Sequence, residues 1–117
     1  MILGVGTDVC SIERLTASLE RTPNLAQRLF CESEQSLSEH SLAGRFAAKE
    51  ALAKALGNPS LVVWNEIEVV NDPTGKPSFE LHGKTAANIK DFGVTKSWLS
   101  ISHDAGVAIA MVVLEAN

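Results

Sequence analysis

The chain has 117 residues, a hydrophobic share of 45% and a formal charge of −4. That length predicts one domain over residues 1–117 with a single modest core, and the acidic balance excludes the broad basic footprint of a nucleic-acid binder. Cys10 and Cys31 form no CxxC motif, no apolar run is long enough to cross a bilayer, and the first residues lack a signal-peptide pattern, so the expectation is a cytoplasmic protein with neither membrane nor nucleic-acid partners.

In chain order, Ile2–Val9 reads as a strand whose glycines at 4 and 6 stand where side chains would crowd. Ser11 is placed to cap a helix that Pro23 ends. On that helix Ile12, Leu15 and Leu19 share one face and Arg14 and Arg21 the opposite one. A short helix over Asn24–Phe30 follows, and the polar stretch Cys31–His40 carries no periodic signal. Ser41–Leu56 is the best helix, closed by Gly57 with Pro59 beyond. Val62–Val70 reads as a strand, Asn71–Lys76 as a turn and Pro77–His82 as the hairpin partner. Thr85–Phe92 reads as a helix stopped by Gly93, and Ser97–Ser102 with Val107–Leu114 as a last hairpin around His103–Gly106. The order of elements predicts an α+β fold with helices packed on an antiparallel sheet.

Three places carry chemistry. Asp8 ends an apolar strand within Gly-Val-Gly-Thr-Asp. By itself it reads as a turn or helix-capping aspartate, and with valine at position 9 the glycines form no dinucleotide fingerprint. The long helix puts Ala47, Ala48, Ala51, Leu52, Ala55 and Leu56 on one broad face, with Arg45, Phe46, Lys49, Glu50 and Lys54 on the other side. The charged side reads either as a solvated face with a Glu50–Lys54 pair at i, i+4 or as the wall of a cleft. In Ser100-Ile-Ser-His-Asp104, alternation puts both serines on one strand face ahead of His103. There is no GxSxG elbow for a nucleophilic triad. Two acids, several cations and a histidine suit magnesium with substrate phosphates, the equipment of phosphoryl-type transfer.

The same three places resemble the holo-acyl-carrier-protein synthase family of small 4'-phosphopantetheinyl transferases. Gly4–Asp8 with Ile12-Glu13-Arg14 resembles its first motif, and Gly44-Arg-Phe-Ala-Ala-Lys-Glu-Ala51 with Lys54 and Gly57 its central helix. Gly75-Lys76-Pro77 and Ser100-Ile-Ser-His103 resemble the two later motifs, in family order. The resemblance implies transfer of 4'-phosphopantetheine from coenzyme A to a serine of an apo acyl carrier protein or carrier domain, releasing adenosine 3',5'-bisphosphate. It implies a cytoplasmic homotrimer with coenzyme A between subunits and Mg2+ held by Asp8 and Glu50. It gives Asp8, Glu50 and Lys54 catalytic roles, and coenzyme contacts to Arg45, Lys54, Gly57, Lys76, Pro77 and His103. Arg14, Arg21 and Arg28 would dock the carrier. Family members often have a longer basic segment before Gly-Arg-Phe, whereas Cys31–Leu42 has no lysine or arginine and only His40, which shifts 3'-phosphate recognition to Arg45 and His103. Two other readings remain alongside transfer: a non-catalytic carrier-protein or nucleotide-binding module, and a magnesium-dependent coenzyme A diphosphate hydrolase.

Overall fold

Alternation along strand β1 (Ile2–Ser11) puts Gly4, Gly6, Asp8 and Cys10 on one face and Val5, Thr7 and Val9 on the other. In the computed structural model, which describes all 117 residues, the first face lies against helix α3 (Glu39–Leu56). A Cβ at Gly6 would stand 2.7 Å from the Ala55 amide nitrogen and closer still to the Ala51 carbonyl oxygen. Gly4 meets the Ala55 carbonyl in the same way. Bare backbone on the strand and alanine on the helix therefore let the two elements approach more closely than larger side chains allow.

Beside β1 run β5 (Val107–Glu115) and then β4 (Lys96–Asp104), giving an antiparallel sheet of order β1-β5-β4. The β4–β5 turn is two residues, Ala105 and Gly106, both with positive φ (50° and 79°), the backbone of a type I′ hairpin. The inner face of this sheet (Ala108, Ala110, Val112 and Leu114 of β5) is fully buried under α3. A second, two-stranded sheet pairs β2 (Ile67–Asn71) with β3 (Pro77–Leu81), and α4 (Gly83–Phe92) ends at Gly93 in the left-handed region. The expected α+β fold with helices on an antiparallel sheet is the observed one.

Helix α1 (Ile12–Arg21) starts where Ser11 Oγ accepts the Arg14 N–H at 3.2 Å, and it packs Ile12, Leu15 and Leu19 on the core. A one-turn helix α2 (Leu25–Leu29) follows. Ser38 caps α3 by accepting the Ser41 N–H, and Gly57 closes it with φ 72°. Alanine and leucine bury α3 on nearly every side, so it is the central element rather than a surface helix. No helix is long and apolar enough to cross a membrane.

Four readings change. The strand expected over Val62–Val70 begins only at Ile67, because short 3-10 turns occupy Pro59–Leu61 and Trp64–Glu66. The unassigned Cys31–His40 stretch contains a 3-10 turn over Glu32–Glu34 and the start of α3. Lys49, expected on the charged side, is wholly buried: its Nζ donates to Glu34 Oε1 (2.6 Å) and to the Leu29 (2.8 Å) and Trp64 (3.2 Å) carbonyls. His103 belongs to strand β4 itself, paired with Ala108, not to the loop, and faces α3.

Candidate active site

Asp8 follows Gly4 and Gly6 on the inner face of β1, one pleat beyond the close contact with α3. It neither caps a helix nor forms a turn; Ser11 does the capping. Its Oδ1 accepts a hydrogen bond from Lys54 Nζ at 2.9 Å, between a side chain only 16% exposed and one that reaches largely into solvent. The expected helix pair Glu50–Lys54 is thus replaced by a bridge from α3 to β1, because the glycine-mediated approach puts Asp8 within the lysine's reach. Glu50 lies one turn before Lys54 on the same face of α3. Partial burial, then the Asp8 charge, push the Glu50 carboxyl above its ordinary range, with Lys54 opposing them. The hydrogen bond and charge of Asp8 raise the Lys54 ammonium in turn.

Two carboxylates share one lysine, so the site carries a net negative charge that a cation would relieve. No cluster of three His, Cys, Asp or Glu side chains could cage a metal here. Two hard oxygen donors are nevertheless what magnesium usually takes from a protein when substrate phosphates and water supply the rest. A groove of ≈ 380 Å³ opens beside them, lined by Glu50, Ala53, Lys54, Gly57 and Pro59. On the other side a groove of ≈ 440 Å³ runs from Val9 and Cys10 past Arg14 and Leu15 of α1 to Phe46, one turn before Glu50. A separate apolar cavity of ≈ 240 Å³ between α4 and the strands, lined by Leu52, Phe79, Leu81, Ile89 and Leu114 among others, holds no acid.

The remaining residues singled out from sequence lie apart from this pair. His103 packs over Gly44, where a Cβ would come within 2.9 Å of its Nε2, and stacks on His40 with ring centroids 3.8 Å apart. Gly44 precedes Lys54 by ten residues of helix, roughly 15 Å of axis. Arg45 is turned about 140° around α3 from Glu50 and faces Glu34, 3.8 Å away. Lys76 and Pro77 lie at the tip of the β2–β3 hairpin, the lysine 5.5 Å above the Trp98 ring. Arg14, Arg21 and Arg28 are exposed on α1 and α2. Sequence reasoning missed Glu34, a buried acid inside a stretch with no periodic pattern, and misplaced its partner Lys49.

The family model described as 4'-phosphopantetheinyl transferase superfamily matches residues 4–112. A holo-[acyl-carrier-protein] synthase of Clavibacter sepedonicus is 53% identical over 117 residues, covering 100% of this chain and 98% of that one. The solved holo-[acyl-carrier-protein] synthase of Neisseria meningitidis superposes with a TM-score of 0.88 at 31% identity, covering 98% and 99% of the two chains. That of Helicobacter pylori in complex with coenzyme A gives 0.82 at 32%, covering 95% and 99%. With a full-length match in sequence and in the strand order and central helix that bring Asp8 to Lys54, the chain belongs to the holo-acyl-carrier-protein synthases of the 4'-phosphopantetheinyl transferase superfamily.

Proposed function

We propose that this protein transfers 4'-phosphopantetheine from coenzyme A to a serine hydroxyl of an apo acyl carrier protein. The observation that carries this reading is the pairing of Asp8 on β1 with Lys54 on α3, next to a Glu50 whose charge is only partly balanced. The names of the relatives and the coenzyme-bound neighbour support the substrate pair.

Asp8 and Glu50 are the groups that would hold Mg2+, which would supply neutralisation of phosphate charge when bound. Lys54 has a long, largely solvent-reaching side chain tied only to Asp8, so it can swing to a phosphate oxygen as substrate arrives. The serine oxygen forms a bond to the phosphate nearest the pantetheine arm. The bond to the bridging oxygen breaks, and its electron pair leaves with adenosine 3',5'-bisphosphate. Glu50 takes the serine proton. Its upward-shifted carboxyl matches that task better than an ordinary carboxylate. Gly57, with no side chain, leaves the end of the groove open for the coenzyme.

His103 and Arg45 address other directions around α3 than Glu50, so a coenzyme touching all of them is most simply held between two copies. The outer sheet face offers the surface for that packing: Val5, Val9, Ile109, Met111 and Trp98 are each more than two-fifths exposed, a contiguous apolar patch of the kind that marks interfaces. In keeping with the family resemblance, we take the number of copies as three, with Lys76, Pro77, Arg45 and His103 completing the coenzyme cleft. Arg14 lines the second groove, and with Arg21 and Arg28 exposed on α1 and α2 it suits an acidic carrier helix.

Mass spectrometry of apo-carrier incubated with coenzyme A, Mg2+ and this protein tests the reading. Transfer leaves phosphopantetheine on the carrier serine. Free phosphopantetheine with an unmodified carrier would establish hydrolysis instead, and no turnover would leave a binding module.

A further inference from the structure

Arg45 Nε is buried and has no hydrogen-bond partner. Its nearest opposite charge is Glu34 Oε2 at 3.8 Å, within strong attraction but beyond hydrogen-bond length. Glu34 is fixed from every side. Its Oε1 accepts from Lys49 Nζ at 2.6 Å and from the Cys31 N–H at 3.0 Å, and its Oε2 accepts the Val69 N–H at 2.9 Å. Lys49 is equally committed, with its other two protons on the Leu29 and Trp64 carbonyls and its ammonium 4.9 Å from the Phe30 ring centroid. These contacts tie α3 to α2, to the 3-10 turns at Glu32–Glu34 and Trp64–Glu66 and to β2, so the carboxylate cannot move toward the arginine.

Stability alone does not explain this arrangement, because a buried ion pair is generally replaceable by packed neutral side chains at little cost. Its charge balance has a different consequence. Glu34 and Lys49 neutralise each other at 2.6 Å, which leaves Arg45 with its charge unspent. The rigid Glu34 oxygen lies nearest Nε, the buried nitrogen of the guanidinium, and the terminal nitrogens make no hydrogen bond to the protein. We propose that Glu34 is a positioning residue for Arg45, and that the Glu34–Lys49 pair presents this arginine outward as a preset, net-positive fork for a phosphate of coenzyme A. This rests on the proposed function above, in which Arg45 meets the coenzyme.

The test is a coupling experiment on the full chain. Glu34→Gln with Lys49→Met removes both buried charges together. Glu34→Asp keeps both charges but withdraws the oxygen from Arg45. Each is made alone and with Arg45→Ala. Coenzyme A affinity is read by calorimetry, KM and kcat by carrier modification, and folding by urea denaturation. With Arg45 present, both Glu34 changes are expected to weaken coenzyme A binding roughly tenfold, the low end of what losing an orienting partner costs at metal sites. The KM for coenzyme A should rise in step, with kcat at saturation and the carrier KM unchanged. With Arg45→Ala in place they should cost nothing further. Arg45→Ala without effect on coenzyme A affinity would refute the arginine's role in the proposed function. A loss on Arg45→Ala, with none on either Glu34 change, would overturn this inference alone. So would equal losses with and without Arg45, since they would mark a purely structural effect. If the double charge removal fails to fold, Glu34→Asp decides by the same comparison.

Discussion

Replacing Gly6 by alanine tests whether backbone approach between β1 and α3 builds the site. The new Cβ would stand 2.7 Å from the Ala55 nitrogen, so restoring an ordinary contact means a retreat of at least about 0.7 Å, and more to clear the Ala51 carbonyl oxygen. Both obstacles are helix backbone, which cannot rotate aside as a side chain would. Overpacking of this kind costs up to about 3 kcal/mol, which for a chain of this length lowers the thermal midpoint by roughly 10–15 °C. The strand carries Asp8 two residues further along the same face, so the carboxylate moves with it. A misplacement of about 1 Å costs on the order of a hundredfold in rate. Turnover is therefore measured well below the variant's midpoint, where loss reports geometry rather than unfolding. A Gly6→Ala protein with wild-type midpoint and wild-type kcat would refute the view that this glycine sets the spacing.

Three further outcomes follow from charge. Glu50→Gln should reduce transfer by roughly a thousandfold or more while raising the unfolding midpoint at neutral pH. The sign follows from its upward shift: above the folded value the ionised form opposes folding, and stability returns as pH falls through it, so the neutral isostere removes a penalty. A lowered midpoint would contradict that environment. Arg14→Glu or Arg21→Glu should raise the carrier KM at low salt and flatten its rise with ionic strength, with coenzyme A affinity within about 1 kcal/mol of wild type; normal carrier kinetics would move the docking face elsewhere. Finally, Glu66 accepts the Thr85 and Lys84 amides and the Thr85 hydroxyl at the start of α4, bonds that hold its carboxyl below the ordinary range. Its contribution is present above the unfolded carboxylate value and is lost as pH falls through the folded one. Glu66→Gln should flatten the decline of urea stability between about pH 5 and about pH 3, and an unchanged acid limb would count against the cap.

Reading the sequence worked where one local rule sufficed. Ser11, Pro23, Gly57 and Gly93 bound their helices as capping and breaking rules require, and period-two alternation placed Ser100 and Ser102 together on the exposed face of β4. It failed where the deciding contact is remote. Lys49 sits on the charged side of its helix by periodicity, yet a carboxylate fifteen residues earlier draws it inside. Lys54 has Glu50 at the favoured helix spacing and bonds Asp8, forty-six residues away, because glycine on the strand brings that acid closer. Trp64 interrupts an apolar run that reads as one strand, since its carbonyl turns to receive Lys49.

These failures share a cause, which bears on how so short a chain holds a site. Helix α3 is mostly buried, so beyond its first turn and Lys54 it has little solvent face on which charges could stand free. Three of its residues tie it to other elements: Lys49 to the turn at Glu32–Glu34, Lys54 to β1, and Gly44 by making room for His103 of β4. The helix is thereby fixed in rotation from three directions. Glu50 and Asp8 can then be held with like charges side by side, an arrangement a solvated surface helix would relax by turning. The loss of helical amphipathicity that obscured the sequence pattern is the same feature that holds the two carboxylates near each other.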